Sequence, residues 1–295
     1  MVVVNKICLG TANFGLQYGQ LENKLDPVDI KLILNEAEHL GICHLDTAQG
    51  YGDSENSIAP YASDFRIITK ISAKNLKNRP ELSQSLLRSL ERLDLPNIDS
   101  VLMHDTAEAL QHRTPIFDFV ESMQDAARQG LIKSFGFSVY NEEEIVALMR
   151  LNVPLYVLQV PENILDGRLY RSTLIQNLSN QGCKIFVRSL FLQGLILNPR
   201  LAQKYTQEIT MTKYLNRFSQ ICHKYEISKL HAALGYFNAI EWADFAVIGC
   251  DSVIQLQEIF ETIKIAKLPV GFLDELFDNA PRELIDPRTW EKIIR

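Results

Sequence analysis

The first turn of the chain reads Leu9-Gly10-Thr11-Ala12-Asn13-Phe14-Gly15 and directly follows a short apolar run at residues 6–9. An open, doubly wound parallel sheet usually carries the spacing G-x-G-x-x-G at this point. Here the glycines are Gly10 and Gly15, so that spacing is absent. The turn therefore disfavours the open sheet. The number of similar apolar runs along the chain then indicates which parallel fold is formed.

More short apolar runs follow, separated by longer segments with helical periodicity. The runs cover residues 6–9, 42–45, 67–71, 100–103, 134–137, 156–160, 184–187 and 245–248. The helical segments cover residues 27–40, 54–61, 80–93, 115–129, 142–150, 169–180, 214–225, 228–237 and 253–266. Continuous apolar strands that alternate with helices predict a parallel sheet covered by helices. Eight such units make a closed barrel, so we expect an α/β fold, a single (β/α)8 TIM barrel.

Several helix boundaries carry residues that favour a helix end. Asp26 precedes Pro27, Thr114 precedes Pro115, and Asn141 precedes a run of glutamates. These are typical N-terminal caps, first-position prolines and first-turn acids. Helices are expected to stop at the left-handed glycines Gly41, Gly130 and Gly182.

The composition argues against several classes of protein. The chain has 36 Asp plus Glu against 30 Lys plus Arg, a formal net charge of −6, which disfavours a nucleic-acid-binding face. The five cysteines are scattered without a C-x-x-C pair, so we expect packed, reduced thiols and no disulfide or metal site. No run approaches the ~20 apolar residues of a membrane span. We expect a cytoplasmic protein without nucleic-acid or membrane partners.

No linker or low-complexity segment divides the chain. We therefore expect one domain over residues 1–295, in which residues 267–295 form a C-terminal tail near the pocket. The oligomeric state is left open by the sequence.

Reactive side chains follow three successive predicted strands. Asp46 ends the second strand and Tyr51 lies in the loop after it, while Lys70 ends the third strand and His104 the fourth. The carboxyl ends of barrel strands meet at one rim, where catalytic residues are found. We expect the acid, the phenol, the amine and the imidazole to come together there.

The chemistry of this group suits the reduction of a carbonyl. A tyrosine hydroxyl has a pKa near 10, and a nearby ammonium stabilises its phenolate. Lys70 can supply that charge, Asp46 can hold Lys70 protonated, and His104 can donate a hydrogen bond to the carbonyl oxygen. None of these side chains can donate a hydride, so a cofactor must supply it.

Two other functions use the same residues. Each residue alone also has a purely structural explanation. Asp46 can cap the loop and Tyr51 can pack within it. Lys70 can be a lysine whose amine reaches solvent, and His104 can be a hydrogen-bonded structural histidine. Lys70 can act as the Schiff-base lysine of a barrel aldolase, although Asp46 would raise the pKa of that amine, which needs to be depressed. A barrel that binds a cofactor without turnover, as a regulatory subunit, is the third interpretation.

At these residues the sequence resembles the aldo-keto reductase superfamily. The family pattern has Asp, then Tyr five positions later, Lys on the next strand and His on the one after, and the chain matches it in order and register. Further matching segments are residues 9–11, 46–48, 51–52, 89–93, 98–99, 130–138 and 247–249, with Gln159 and Asn163. The resemblance covers nearly the whole chain. It implies one barrel that binds a nicotinamide cofactor without a Rossmann domain.

The resemblance also implies roles for single residues. Tyr51 would be the general acid in reduction and the base in alcohol oxidation, tuned by Lys70 and Asp46, and His104 would orient the substrate carbonyl. The implied cofactor-binding residues are Thr11, Asp46, Ser138, Gln159, Arg188, Ser189, Leu190, Gln193, Gly194, Gly249, Gln255 and Glu258. Among these, Ser138 and Gln159 correspond to residues that bind the nicotinamide carboxamide. Residues 189–194 correspond to the loop that wraps the pyrophosphate.

The chain departs from the family pattern at three places. Val139 replaces an Asn after Ser138, so one carboxamide contact is lost unless Asn163 supplies it. The aromatic that often stacks on the nicotinamide is replaced in the matching segment, residues 187–194, which contains Arg188. The planar guanidinium of Arg188 can lie against the nicotinamide ring or meet an anion, and the alternative is a solvated arginine at the end of the strand. Residues 249–258 contain no cation for the 2′-phosphate of NADP. NADP is the family default, but Asp251 and Glu258 would repel that phosphate, so we expect NAD to be tolerated or preferred.

We expect the substrate to be a small molecule with a carbonyl group. The candidate pocket residues are Phe14, Gln17, Tyr18, Gln49, Asp105, Glu162 and the tail from Leu268. Amides and acids beside aromatics favour a polyhydroxylated compound, such as a sugar. Arg113 and Lys74 are alternative contacts for an anionic substrate.

Overall fold

Eight parallel strands close into a barrel in chain order in the computed structural model, which describes residues 5–17, 24–72, 78–276 and 280–291. The strands are β1 Ile7–Gly10, β2 His44–Asp46, β3 Arg66–Ile71, β4 Ile98–Met103, β5 Ile132–Ser138, β6 Val157–Pro161, β7 Lys184–Arg188 and β8 Phe245–Ile248. Every predicted run forms a strand, and the predicted (β/α)8 barrel is confirmed.

Helices connect these strands. They are α1 Ala12–Gly15, α2 Pro27–His39, α3 Ser54–Ile58, α4 Arg79–Leu93, α5 Thr106–Ala109, α6 Arg113–Arg128, α7 Glu142–Arg150, α8 Thr173–Asn180, α9 Glu208–Lys224, α10 Lys229–Asn238, α11 Val253–Ile265, α12 Phe272–Leu276 and α13 Arg282–Ile285. Short 3₁₀ helices cover Ala59–Asp64, Leu192–Gly194, Pro199–Lys204 and Pro287–Thr289. Among the described residues, no helix combines the length and apolarity needed to cross a membrane.

Most of the predicted helix ends are confirmed. The side chain of Asp26 accepts hydrogen bonds from the backbone of α2, and Asn141 caps α7 in the same way. Gly41, Gly130 and Gly182 adopt φ angles of +70°, +75° and +93°. The predicted cap Thr114 is wrong, because α6 begins at Arg113. A proline is tolerated throughout the first turn, so Pro115 does not fix the boundary.

The cysteines are free thiols, and four of them are buried. Cys43, which we expected to pack, is exposed and donates to the carbonyl of Gly41. It lies between buried Ile42 and His44, so the alternation of an extended chain directs it outward.

The barrel interior determines which side chains reach the rim. Its centre contains Cys8, Ile68, Leu102, Val157 and Phe186, each at most 4 % exposed. Successive residues of a strand point to opposite faces, so the residue two positions further on also points into the barrel. Two positions after the core residues Ile68, Leu102, Val157 and Phe186 come Lys70, His104, Gln159 and Arg188, in that order. The inward layer at the carboxyl rim therefore contains the reactive side chains.

The chain forms two compact units. The first comprises residues 1–161, 173–188 and 242–256 and contains all the strands. The second comprises residues 162–172, 189–241 and 257–295. Within it, the backbone of Thr206 donates to the carbonyl of Glu291 at 2.9 Å. The single domain and the place of the tail near the pocket stay predictions.

Candidate active site

A buried ion pair lies at the carboxyl rim of the barrel. Nζ of Lys70 is 2.7 Å from both carboxylate oxygens of Asp46 and 3.0 Å from the carbonyl oxygen of Thr47. Lys70 is 1 % exposed and Asp46 is 2 % exposed. Burial alone would lower the pKa of Lys70, but Asp46 and Tyr51 together outweigh it and raise that pKa. The amine is therefore a fixed ammonium ion.

The hydroxyl of Tyr51 lies beside this ammonium. Nζ of Lys70 is 3.3 Å from Oη of Tyr51 and 4.9 Å from the centroid of its ring. The charge of Lys70 lowers the pKa of Tyr51, as expected from the sequence, but burial raises that pKa by more. Tyr51 is therefore a protonated phenol at neutral pH, poised as a proton donor.

His104 meets Tyr51 edge to face. The ring centroids are 5.7 Å apart and the planes are inclined by 85°. The backbone of His104 donates to the carbonyl of Ile71 at 2.9 Å, which extends the ladder between β3 and β4 by one residue. Burial, followed by the charges of Lys70 and Arg188, lowers the pKa of His104 to about 4. The imidazole is neutral at pH 7.

A buried hydroxyl cluster fixes the loop that carries these groups. Oγ1 of Thr11 donates to the carbonyl oxygen of Asp46 at 3.0 Å and lies 2.7 Å from Oγ of Ser54. Ser54 also lies 3.0 Å from Oγ1 of Thr47. Below them, a β-carbon at Gly15 would overlap the carbonyl oxygen of Tyr51, so this close approach requires glycine. The hydroxyl of Thr11 serves the loop, and its contact with a cofactor stays a prediction.

Helix α4 holds the same loop from the other side. The amide of Gln49 donates to Oγ of Ser89 at 2.7 Å and to the carbonyl of Ser85 at 2.7 Å, and it accepts from Oγ of Ser85 at 2.8 Å. Glu55 accepts from Ser89 at 2.8 Å and from Thr69, beside Lys70, at 2.7 Å. Gln49, expected in the substrate pocket, instead ties the loop of Tyr51 to α4. Sequence reasoning missed Glu55, whose only signal was an acid placed four residues after Tyr51.

Gln159 connects the ion pair to the next candidate residues. Its Nε2 donates to Oδ1 of Asp46 at 2.7 Å, while its Oε1 is buried without a hydrogen-bond partner among the described residues. Ser138, 3 % exposed, is the register partner of Gln159 on the neighbouring strand. An orphaned buried acceptor beside a hydroxyl fits the amide of a nicotinamide carboxamide, which needs an acceptor for its N–H groups. The residues present therefore fit that cofactor.

Comparison with known proteins identifies the family of the chain. The family model described as "Aldo/keto reductase family" matches residues 6–276. The chain belongs to the aldo/keto reductase family. A solved relative is the thermostable aldo-keto reductase Tm1743 in complex with the inhibitor epalrestat. Tm1743 aligns over 92 % of this chain and 94 % of its own, with a TM-score of 0.68 and 22 % identity.

Curated members of the family match over shorter stretches. L-glyceraldehyde 3-phosphate reductase of Escherichia coli is 26 % identical over 63 % of this chain and 58 % of its own length. NAD/NADP-dependent indole-3-acetaldehyde reductase of Schizosaccharomyces pombe is 26 % identical over 48 % of this chain and 49 % of its own. The chain thus spans roughly half to three-fifths of these relatives.

At two positions this member of the aldo/keto reductase family has a side chain that differs from the family pattern, Val139 and Arg188. Val139 is fully buried and leaves no polar side chain after Ser138. Nη2 of Arg188 donates to the carbonyl oxygen of Val139 at 3.1 Å, and Cζ lies 4.1 Å from the centroid of Tyr140. The alternative of a merely solvated arginine is wrong, because Arg188 is half-buried and held at both contacts.

The predicted pyrophosphate loop belongs to the second unit. Ser189, Gln193 and Gly194 have positive φ angles of 65°, 53° and 90°, and Leu190 is 1 % exposed. Left-handed residues of this kind expose backbone N–H groups in a turn that can bind an anion. Asn163, the proposed substitute for the missing family Asn, is also in this unit and has a buried Nδ2 without a described partner. Their contacts with a cofactor stay predictions.

A fixed acid, Asp251, lies just before the start of α11. Oδ1 of Asp251 accepts from Nδ2 of Asn13 at 3.1 Å, and its backbone N–H donates to Oε1 of Gln255 at 2.8 Å. Asp251 is half-buried, while Gln255 and Glu258 are exposed. Burial raises the pKa of Asp251. Gly249, Gln255 and Glu258 stay predicted cofactor residues.

The remaining pocket candidates have varied surroundings. Phe14 is fully buried and Gln17 is exposed, while Asp105 accepts from Oγ of Ser72 at 2.7 Å. Tyr18 and Lys74 lie outside the described residues. Glu162 is fully buried in the second unit, where it accepts from Tyr236 and three backbone N–H groups. Those bonds make it an anchor of its own loop.

Proposed function

We propose that the chain is an NAD(P)-dependent reductase of aldehydes or ketones in which Tyr51 is the general acid. One observation carries the proposal. The hydroxyl of Tyr51 lies 3.3 Å from an ammonium that Asp46 holds at 2.7 Å inside the barrel. The same groups act in reverse when an alcohol is oxidised, with Tyr51 as the base.

Each residue has a definite part in moving the proton. A bound nicotinamide supplies the hydride. Tyr51 gives its proton to the carbonyl oxygen as negative charge develops there, and the ammonium of Lys70 stabilises the phenolate that forms. His104, neutral at pH 7, donates a hydrogen bond to the same oxygen. Ser138 and Gln159 would hold the carboxamide of the cofactor.

The Schiff-base alternative has no such support. A lysine that attacks a carbonyl must be a neutral amine, which requires a depressed pKa. The pKa of Lys70 is raised instead, because Asp46 and Tyr51 outweigh the effect of burial. Its hydrogen bonds to Asp46 and Thr47 also engage the nitrogen that would have to attack.

The acid just before α11 supports use of NAD as well as NADP. Asp251 is fixed by Asn13, and an acid accepts hydrogen bonds from ribose hydroxyls but repels a 2′-phosphate. We expect NADH to support turnover with a KM no higher than that of NADPH, which initial rates with each cofactor will show. A hundredfold preference for NADPH would contradict this part of the proposal.

The substrate class follows from the candidate pocket and the relatives. Both quoted relatives are named as aldehyde reductases, one of them for a phosphorylated triose. Amide and carboxylate side chains among the pocket candidates favour a small polyhydroxylated aldehyde or ketone, such as a sugar.

The direct test uses purified protein with NADH or NADPH and a panel of aldehydes and aldoses, followed at the absorbance of the reduced cofactor. Tyr51→Phe should lower kcat by about 10²- to 10⁴-fold, the usual contribution of a general acid. Cofactor affinity should not change. The matched control is Tyr156→Phe. Tyr156 is exposed and directly precedes β6, at the amino-terminal end of the barrel strands and away from Tyr51. Substantial activity in Tyr51→Phe would refute the assignment.

A further inference from the structure

Glu55 is a buried acid to which the proposed mechanism gives no part. It lies on α3, four residues after Tyr51, and is 1 % exposed. A carboxylate in such a place is costly unless its charge is paired and its oxygens are hydrogen-bonded. The groups that meet this carboxylate therefore show what it holds together.

Three side chains from two neighbouring elements bind the carboxylate. Oε1 accepts from Oγ1 of Thr69 at 2.7 Å and from Oγ of Ser89 at 2.8 Å. Oε2 pairs with Nη1 of Arg92 at 3.2 Å. Ser89 and Arg92 belong to α4, while Thr69 belongs to β3. Glu55 thus joins α3 both to a helix and to a barrel strand.

The bond to Thr69 reaches the strand beside the catalytic ammonium. Thr69 directly precedes Lys70 on β3, and successive side chains of a strand point to opposite faces. Lys70 points into the barrel, so Thr69 points outward, where its buried hydroxyl meets Glu55. The bond therefore fixes β3 at the residue next to the one that carries the ammonium.

The other end of this connection is the turn of Tyr51. The backbone N–H of Ser54, the first residue of α3, donates to the carbonyl oxygen of Tyr51 at 3.2 Å. Glu55 follows Ser54 directly in the chain. A short path of bonded groups thus leads from Tyr51 through Glu55 and Thr69 to Lys70.

The separation of Tyr51 and Lys70 is the quantity that this path can control. Nζ of Lys70 lies 3.3 Å from Oη of Tyr51, which is long for a hydrogen bond, so a small displacement would break it. The charge of Lys70 and its hydrogen bond both lower the pKa of Tyr51 and oppose the larger effect of burial. A displaced β3 would weaken both, and Oη would then be a poorer proton donor.

We propose that Glu55 is a positioning residue, which sets the separation of Tyr51 and Lys70 through its hydrogen bond to Thr69. The inference rests on the proposed function and adds to it a residue that acts through Thr69 rather than on the substrate. The bonds to Ser89 and Arg92 hold Glu55 in place, whereas the bond to Thr69 transmits that place to β3. A purely structural Glu55 would instead depend on Thr69 and on Arg92 in the same way.

The test removes the hydroxyl of Thr69 and nothing else. Thr69→Val keeps the shape and branching of the side chain, and valine suits a strand. It leaves Glu55 bound to Ser89 and Arg92. We expect kcat to fall by roughly tenfold at unchanged cofactor affinity, since small misplacements of a catalytic group reduce rate strongly. Thr69→Ser keeps the hydroxyl and should restore most of the lost rate.

Arg92→Met is the matched control, because it removes another partner of the same carboxylate. Arg92 reaches Glu55 from α4, so its loss leaves the bond to Thr69 in place. Urea unfolding should show a loss of stability in Arg92→Met, which leaves a buried charge unpaired. Only Thr69→Val should lower kcat. The inference is overturned if kcat does not fall in Thr69→Val, or if it falls at least as much in Arg92→Met.

A spectroscopic measurement separates this inference from the reductase assignment. Cζ of Tyr51 is bonded to Oη, so its ¹³C resonance responds to the ammonium beside that oxygen. The resonance is recorded in substrate-free protein labelled at tyrosine Cζ and is assigned with Tyr51→Phe. We expect it to move in Thr69→Val and to keep its wild-type position in Thr69→Ser and Arg92→Met.

That pattern supports the positioning role even when no carbonyl is reduced, in which case the reductase assignment alone fails. An unmoved resonance in Thr69→Val, or an equal movement in Arg92→Met, overturns the positioning role, whatever the rates of turnover.

Discussion

Lys70 keeps its charge inside the barrel because its counter-ion is held equally firmly. Asp46 lies 2.7 Å from Nζ and also accepts from Nε2 of Gln159 at 2.7 Å. Asp46→Asn would leave the ammonium buried without an opposite charge. We expect this variant to lose about 3–5 kcal/mol of unfolding free energy, the usual cost of breaking a buried pair, as measured by urea unfolding.

The double variant Asp46→Asn with Lys70→Met is the control for this prediction. Removing both charges is often close to neutral for stability, because no buried ion is left unpaired. Most of the lost stability should therefore return, while reductase activity stays absent. A single variant as stable as the wild type would mean that the pair is not buried as described.

Single residues show where prediction from the sequence ends. The positions of Asp46, Lys70 and His104 could be predicted, because strand ends in a barrel share one rim. The protonation state of Tyr51 could not be predicted, since burial and the charge of Lys70 shift its pKa in opposite directions. Only the folded structure shows that burial is the larger effect.

At the scale of elements, α4 positions the loop that carries Tyr51. The side chain of Gln49 binds Ser85 and Ser89 of α4, while its backbone N–H donates to the carbonyl of Lys70 at 3.1 Å. Gln49→Met keeps the size of the side chain but removes its hydrogen bonds. We expect kcat to fall by roughly tenfold with little change in cofactor affinity, since small misplacements of a catalytic group reduce rate strongly.

Gln176→Met on α8 is the matched control for the loop. Gln176 is also a half-buried amide, but its described partner is Asn180 of the same helix, 3.3 Å away. Its kcat should equal that of the wild type. If Gln49→Met behaved in the same way, α4 would have no part in placing Tyr51.

Elements were predictable where hydrophobic pattern decides them. The apolar runs alternate with segments of helical pattern, so every run was found, although the structure places the short strand β2 on His44–Asp46, at the polar end of its run. The start of α9 at Glu208, several residues before the predicted 214, was missed because Gln207, the residue before it, gives no cap signal. Gln49 was placed in the pocket because a sequence does not tell which side of a loop an amide faces.

At the scale of the whole molecule, the segments of the two units alternate along the chain. The boundaries fall after residues 161, 172, 188, 241 and 256, and the last of them lies inside α11. Sequence alone suggested one continuous domain, because neither linker nor change of composition marks these points. Such boundaries arise from tertiary packing, which local pattern does not encode.

The stability of the whole molecule should depend on pH through its buried histidines. Burial lowers the pKa of His104 from 6.5 to about 4, and burial also lowers the pKa of His44. Between these pH values the unfolded chain binds protons that the folded chain does not, so stability is lost as the pH falls from about 6.5 toward 4. For His104 alone the difference of roughly 2.5 pH units corresponds to about 3 kcal/mol.

Urea unfolding at a series of pH values should show this slope, and His104→Asn should flatten it. His112→Asn, at an exposed site, should leave the slope in place. An equal slope in His104→Asn and the wild type would show that His104 does not titrate as a buried, neutral imidazole.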